Sequence, residues 1–209
     1  MATVGADEPQ VPGRVVRSWA LWDWATQPFN SVILTFVWVS LYLVSDAFLP
    51  DHIAAQNADG DLKCATAADS ATEYCQGLSE LSANYGWITF VAGIIVLVLA
   101  PVLGQQADAR GNKKRWVVGG TALLALLQFA LFFVFADPMY FWFGAVAVAL
   151  GSVASEIAGV NYNAMLLEVS TKKTVGRVSG LGWGLGYIGG IVALVIVVVI
   201  TQLNWFGMD

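Results

Sequence analysis

Charge is scarce in this 209-residue sequence: 12% of residues are charged, against about 25% in an ordinary soluble domain. A single soluble core and intrinsic disorder are both excluded, because 57% of the residues are hydrophobic and they fall in long runs. Basic residues are especially few. With 10 Lys and Arg against 15 Asp and Glu the formal net charge is -5, so the broad basic surface that holds nucleic-acid phosphates is missing. Histidine occurs once and cysteine twice, which argues against a metal site, and no metal or cofactor is expected. Neither an HExxH nor a GxSxG pattern occurs, which counts against an intramembrane enzyme.

The apolar runs are long enough to matter. Crossing ~30 Å of hydrocarbon at ~1.5 Å per residue takes about 20 residues. Runs bounded by charge predict an all-α membrane protein with five transmembrane helices, at about 19–45, 85–106, 116–136, 139–167 and 178–203. Asp137-Pro138, a polar residue followed by a helix breaker, divides the third span from the fourth as a tight hairpin. Residues 1–18 form a polar segment ahead of the first span. That span contains Asp23 and is too long for a signal-peptide core, so it is read as retained.

Basic residues flanking spans are held on the cytoplasmic side. Arg14, Arg17, Arg110, Lys113, Lys114, Arg115, Lys172, Lys173 and Arg177 share one side, and Lys63 alone falls on the other. This predicts a cytoplasmic N-terminus, an outer loop over 46–84 and an outer end at 204–209, in a multi-pass protein of the cell membrane. Eight of nine tryptophans lie near predicted span ends, as indole rings prefer the membrane boundary, and Trp38 sits deep. The outer loop holds seven acidic residues, His52, Cys64 and Cys75. A disulfide between the cysteines is favoured on that oxidising side, with two free thiols the alternative, because spacing alone does not fix pairing.

Polar side chains inside a span are costly, about 2.5–3.5 kcal/mol for a charge at mid-span, so each needs a reason. On the first span Asp23, Gln27 and Asn30 fall at i, i+4 and i+7, one helical face. On the fourth, Ser152, Glu156, Gly159 and Asn163 form a second such stripe. Both predict faces turned to water or protein. Glu156 lies well inside its span, where a carboxyl that loads and loses a proton is a candidate coupling site and a hydrogen-bonded buried acid is the bland alternative. Asp23, nearer the inner boundary, can equally cap or anchor. In the fifth span Gly182, Gly186 and Gly190 recur every four residues, which points to close helix packing.

Between the second and third spans the chain reads Gly104-Gln105-Gln106-Ala107-Asp108-Ala109-Arg110-Gly111-Asn112-Lys113-Lys114-Arg115. This resembles the signature cytoplasmic loop of the major facilitator superfamily, in which Gly104 permits close helix approach and Gly111 the tight turn. Asp108 would accept hydrogen bonds at a helix N-terminus or from arginine. Arg110 and Lys113 supply its basic character, while Ala109 and Asn112 stand where that family usually has basic residues. The segments Trp19 to Ala25, Tyr162 to Leu166 and Val178 to Gly190 look like the branch of vacuolar autophagy-associated amino-acid effluxers. The resemblance implies a twelve-span transporter in two six-helix halves whose first and fourth helices line the central cavity. This chain would be an incomplete N-terminal half, with the remainder elsewhere. It further implies a small-molecule substrate such as an amino acid, moved by alternating access. Coupling to protons through Glu156 fits such a transporter, with sodium or no coupling as the alternatives. A non-transporting membrane subunit or scaffold is the alternative, and it leaves the polar stripes unexplained.

Overall fold

A computed structural model describes residues 11–62, 64 and 69–203. Lys63, Trp205 and the expected outer end 204–209 lie outside the described residues, as do residues 1–10 of the N-terminal segment.

Helix α1, Gly13–Pro28, continues directly as a π-helix over Phe29–Tyr42. The winding changes at Pro28, which has no N–H to return to the Trp24 carbonyl four residues earlier. Beyond it the ladder lengthens. The Leu43 N–H donates to the Trp38 carbonyl at 3.0 Å, and the Thr35 and Ser40 hydroxyls donate to the carbonyls of Asn30 and Thr35.

A short α2, Asp51–Ala54, and a 3₁₀ turn, Ala55–Asn57, precede α3, Glu73–Ala109. Thus α3 begins inside the segment expected as outer loop. Thr72 caps it, its hydroxyl accepting from the Cys75 N–H at 3.4 Å, and Tyr74 and Cys75 are buried with Leu49. Cys64 and Cys75 are joined by a disulfide with Cα atoms 5.5 Å apart, which ties the loop to the first turn of α3. Apolar runs mark hydrocarbon rather than helix ends, so a polar helical extension escapes them.

Next come α4, Lys113–Leu131, α5, Phe141–Ala164, and α6, Val175–Gln202. The chain leaves α4 at Phe132, ahead of Asp137-Pro138. There Asp137 accepts from the Met139 N–H at 2.8 Å and starts a 3₁₀ turn, Pro138–Tyr140, that leads into α5. A second such turn, Met165–Leu167, closes α5. No strand occurs among the described residues.

Among the described residues three helices are long and apolar enough to cross a membrane: Glu73–Ala109, Pro138–Leu167 and Val175–Ile200. Their roles differ. In α3 and α6 only 11% and 17% of the most apolar stretch is buried, so those helices present their sides outward, whereas 50% is buried in α5. Helix α5 packs against α3 and α4, and α1 packs against α6. Small residues make this possible: Gly144 lies under the Trp38 indole, Gly151 under the Phe29 ring, and Gly120 of α4 against the Ala154 carbonyl and Ala158.

Buried side chains form layers along the bundle. Trp19, Val117, Tyr162, Val169 and Val178 close one end, joining the start of α1 to the starts of α4 and α6 and the end of α5. Phe29, Leu124 and Ala154 form a middle layer. Trp38, Leu43, Phe48, Tyr85, Phe141 and Val148 close the other end. Trp19 is therefore a core residue rather than a boundary anchor: its indole N–H donates to the Tyr162 carbonyl at 3.1 Å.

Candidate functional site: a polar cavity between α1, α5 and α6

A cavity of about 200 Å³ opens where α1, its π-helical continuation, α5 and α6 converge. The first helix contributes Asp23, Gln27 and Asn30, the face expected from their spacing. From α5 come Glu156, Gly159 and Asn163. Ser152, the remaining member of that stripe, is not among the lining residues; its hydroxyl turns back to the Val148 carbonyl at 3.1 Å. Ser155 takes the place on the cavity wall, because the lining face of a helix is broader than a single i, i+4 row.

Glu156 is exposed on the cavity side of α5, so its carboxyl faces open space rather than being the hydrogen-bonded buried acid of the alternative reading. Among the described residues no hydrogen bond or ion pair engages the side chains of Asp23, Asn30, Glu156 or Asn163, whereas the Gln27 amide reaches the Ser31 hydroxyl at 3.5 Å. The first four polar groups are available.

Aromatic rings frame the cavity. Tyr162 is stacked on Trp19 with ring centres 4.4 Å apart and meets Trp22 at 4.3 Å, while the Trp22 indole N–H is held by the Thr121 hydroxyl at 2.9 Å. Trp183 and Tyr187 complete the wall from α6. Stripe reasoning missed these rings, since it searched for polar side chains; Tyr162 and Trp183 do stand in the segments that carried the family resemblance.

Gly182, Gly186 and Gly190 of α6 are buried against α1 and Tyr162. A methyl group on Gly182 would meet the Trp19 ring at 2.7 Å, and one on Gly190 the Ser31 hydroxyl at 2.6 Å. Gly186 faces the Asp23 carboxylate directly, so a position expected to serve packing also makes room for a cavity acid.

At the α3–α4 turn Gly104 faces Val160 of α5, where an added Cβ would lie 3.3 Å from its side chain, and Gly111 adopts φ +60°. Asp108 is in the last turn of α3, not at a helix N-terminus, and its partner is lysine rather than arginine. Lys113 Nζ bridges Asp108 at 2.7 Å and Glu168, just beyond α5, at 2.8 Å. A carboxylate opposes the dipole at a helix C-terminus, and the nearby ammonium offsets this. The hydrogen bond to Asp108 first, then that to Glu168, holds the Lys113 ammonium above the usual lysine range. Arg110 caps α3, exposed and without an ion pair among the described residues.

No solved structure matches this chain. An uncharacterized MFS-type transporter of Bacillus subtilis (strain 168), YxiO, is 27% identical over 192 residues, covering 90% of this chain and 37% of that relative. The chain thus spans little more than a third of the relative's length. The Major Facilitator Superfamily model matches residues 22–208, and the chain, a multi-pass integral membrane protein, belongs to that family.

Proposed function

We propose that this chain is the N-terminal part of a secondary active transporter that moves a small polar solute by alternating access, with protons coupled at Glu156. Amino acids are the solute class implied by the resemblance to the autophagy-associated effluxers. In this reading the helix over residues 13–42 and α4 also cross the membrane, the N-terminus is cytoplasmic, and seven further spans complete the two halves.

One observation carries the reading. Two polar stripes, each costly in hydrocarbon, converge from α1 and α5 on one cavity, where the side chains of Asp23, Asn30, Glu156 and Asn163 have no other hydrogen bond or ion pair among the described residues. An enzyme would need an activated nucleophile or a metal cluster there, and the lining pairs its aliphatic hydroxyls, Thr26 and Ser155, with no histidine, lysine or cysteine among the described residues. The titratable groups that share the cavity with Glu156 are Asp23, Tyr162 and Tyr187, so a proton on Glu156 changes the charge opposite α1 and α6.

Reconstituted vesicles test the coupling. Glu156→Gln keeps shape and hydrogen bonding while removing the titratable proton, so pH-gradient-driven accumulation by the full-length protein is expected to vanish while exchange partly survives. Wild-type accumulation with unchanged pH dependence would make Glu156 structural.

A further inference from the structure

We propose that the cavity wall around Asp23 takes the cationic head of an organic ammonium. This rests on the transporter reading for the idea that the occupant is a transported solute; the recognition chemistry stands on the wall itself.

Every formal charge on the lining is negative. Among the described residues Asp23 and Glu156 are its only charged ones, and none of its lining is Lys, Arg or His. An anion would face two carboxylates in a space partly shielded from water, where repulsion is stronger than in bulk solvent.

A second, independent feature points to a donor-rich guest. Tyr162 is 6% exposed and lines the cavity, and its hydroxyl has no hydrogen-bond partner among the described residues. Its ring is clamped between Trp19 and Trp22, so the hydroxyl cannot swing away to find one. Buried hydroxyls without partners are rare in native proteins, and a ligand N–H would satisfy this one.

The two acceptors neighbour successive glycines of one row. On α6, Gly182 lies beside the Tyr162 hydroxyl and Gly186, the next glycine in the row, beside the Asp23 carboxylate. Both acceptors therefore border the same glycine row of α6. An ammonium carries three N–H donors and answers such acceptors with charge-assisted hydrogen bonds of ~2.8 Å. Trp22, Trp183 and Tyr187 add ring faces suited to the attached carbons and the positive charge. A neutral guest would use the rings and leave the carboxylate unanswered.

The test is binding to purified full-length protein, read by tryptophan fluorescence because Trp22 and Trp183 border the site. Butylammonium, butanol, butyrate and sodium ion are the probes, compared at constant ionic strength. Butylammonium alone is expected to give a saturable change. Asp23→Asn should raise its half-saturation concentration by about tenfold or more, as loss of a charge-assisted hydrogen bond implies. Tyr162→Phe keeps the ring stack and should raise it by a smaller factor, which decides the matter if Asp23→Asn does not fold. An equal response to butanol or butyrate, the same change with sodium alone, or unaltered half-saturation in both variants would overturn the proposal. Vesicle transport separates the two readings: ammonium binding without solute movement sinks the transporter and keeps the subsite. Movement of a solute without a cationic group, unaffected by Asp23→Asn, does the reverse.

Discussion

Gly189 touches the backbone of α1 at the point where Pro28 alters it. A Cβ at this position would collide with the Trp24 carbonyl and lie 3.0 Å from its carbon, and backbone cannot step aside as a side-chain tip can. Gly184, on the same helix, has open space around its Cβ position. Gly189→Ala is therefore expected to destabilise the detergent-solubilised full-length protein by about 1–3 kcal/mol, the usual range for overpacking, seen as an earlier thermal transition. Gly184→Ala should melt with the parent. Equal melting of both variants would remove the close approach of α1 and α6. The four-residue row of Gly182, Gly186 and Gly190 was legible as a packing face, but Gly189 falls outside it. Its partner is a carbonyl, and the sequence signal for that carbonyl was Pro28, four residues on, rather than any pattern in α6.

At the scale of elements, the α3–α4 turn is linked to the end of α5 through Lys113. The lysine side chain is 12% exposed while those of Asp108 and Glu168 are 70% and 55% exposed, so water weakens both pairs. Exposed pairs are worth about 0–1 kcal/mol, and Asp108→Asn leaves Lys113 still bound to Glu168. That substitution is expected to slow transport by the full-length protein more than it lowers abundance, because it biases one arrangement of these helices without removing a solute contact. Unchanged transport at equal expression would reduce the turn to a topogenic signal. The pH sign is definite. Pairing raises the folded-state lysine above its unfolded value, so its contribution is complete below the unfolded value and is lost as pH rises through the folded one. Lys113 deprotonation is therefore expected to contribute no stability change between pH 6 and 9. The loop's glycines and Asp108 were legible in the sequence, but Glu168 was not: it lies 55 residues from Lys113, and only folding brings them together.

Across the whole molecule, hydrophobic runs revealed the helical character because hydrocarbon demands long stretches with internally satisfied backbones. Helix ends were less legible, since α3 extends into a polar region stabilised by a cap, a disulfide and local packing. The same packing unites evidence for orientation that was scattered along the chain. The layer containing Trp19, Val117, Val169 and Val178 gathers the starts of α1, α4 and α6 with the end of α5. Arg14, Arg17, Lys113, Lys114, Arg115, Lys172, Lys173 and Arg177 all lie within or beside those segments. Basic residues concentrated at one end of an apolar bundle are retained in the cytoplasm. Ala58, in contrast, follows the π-helix and precedes α3, beyond the layer that closes the other end, and both Ala58 and Lys173 are exposed. Cys64 and Cys75 are disulfide-bonded, so a cysteine introduced at either position is the free thiol of this chain. In sealed cells making the full-length protein, an impermeant maleimide is expected to label Ala58→Cys from outside and to label Lys173→Cys only after the membrane is opened. Labelling of both from outside would place the basic end and the loop on one face and overturn the proposal that α3, α4 and α5 all cross the membrane between residues 58 and 173.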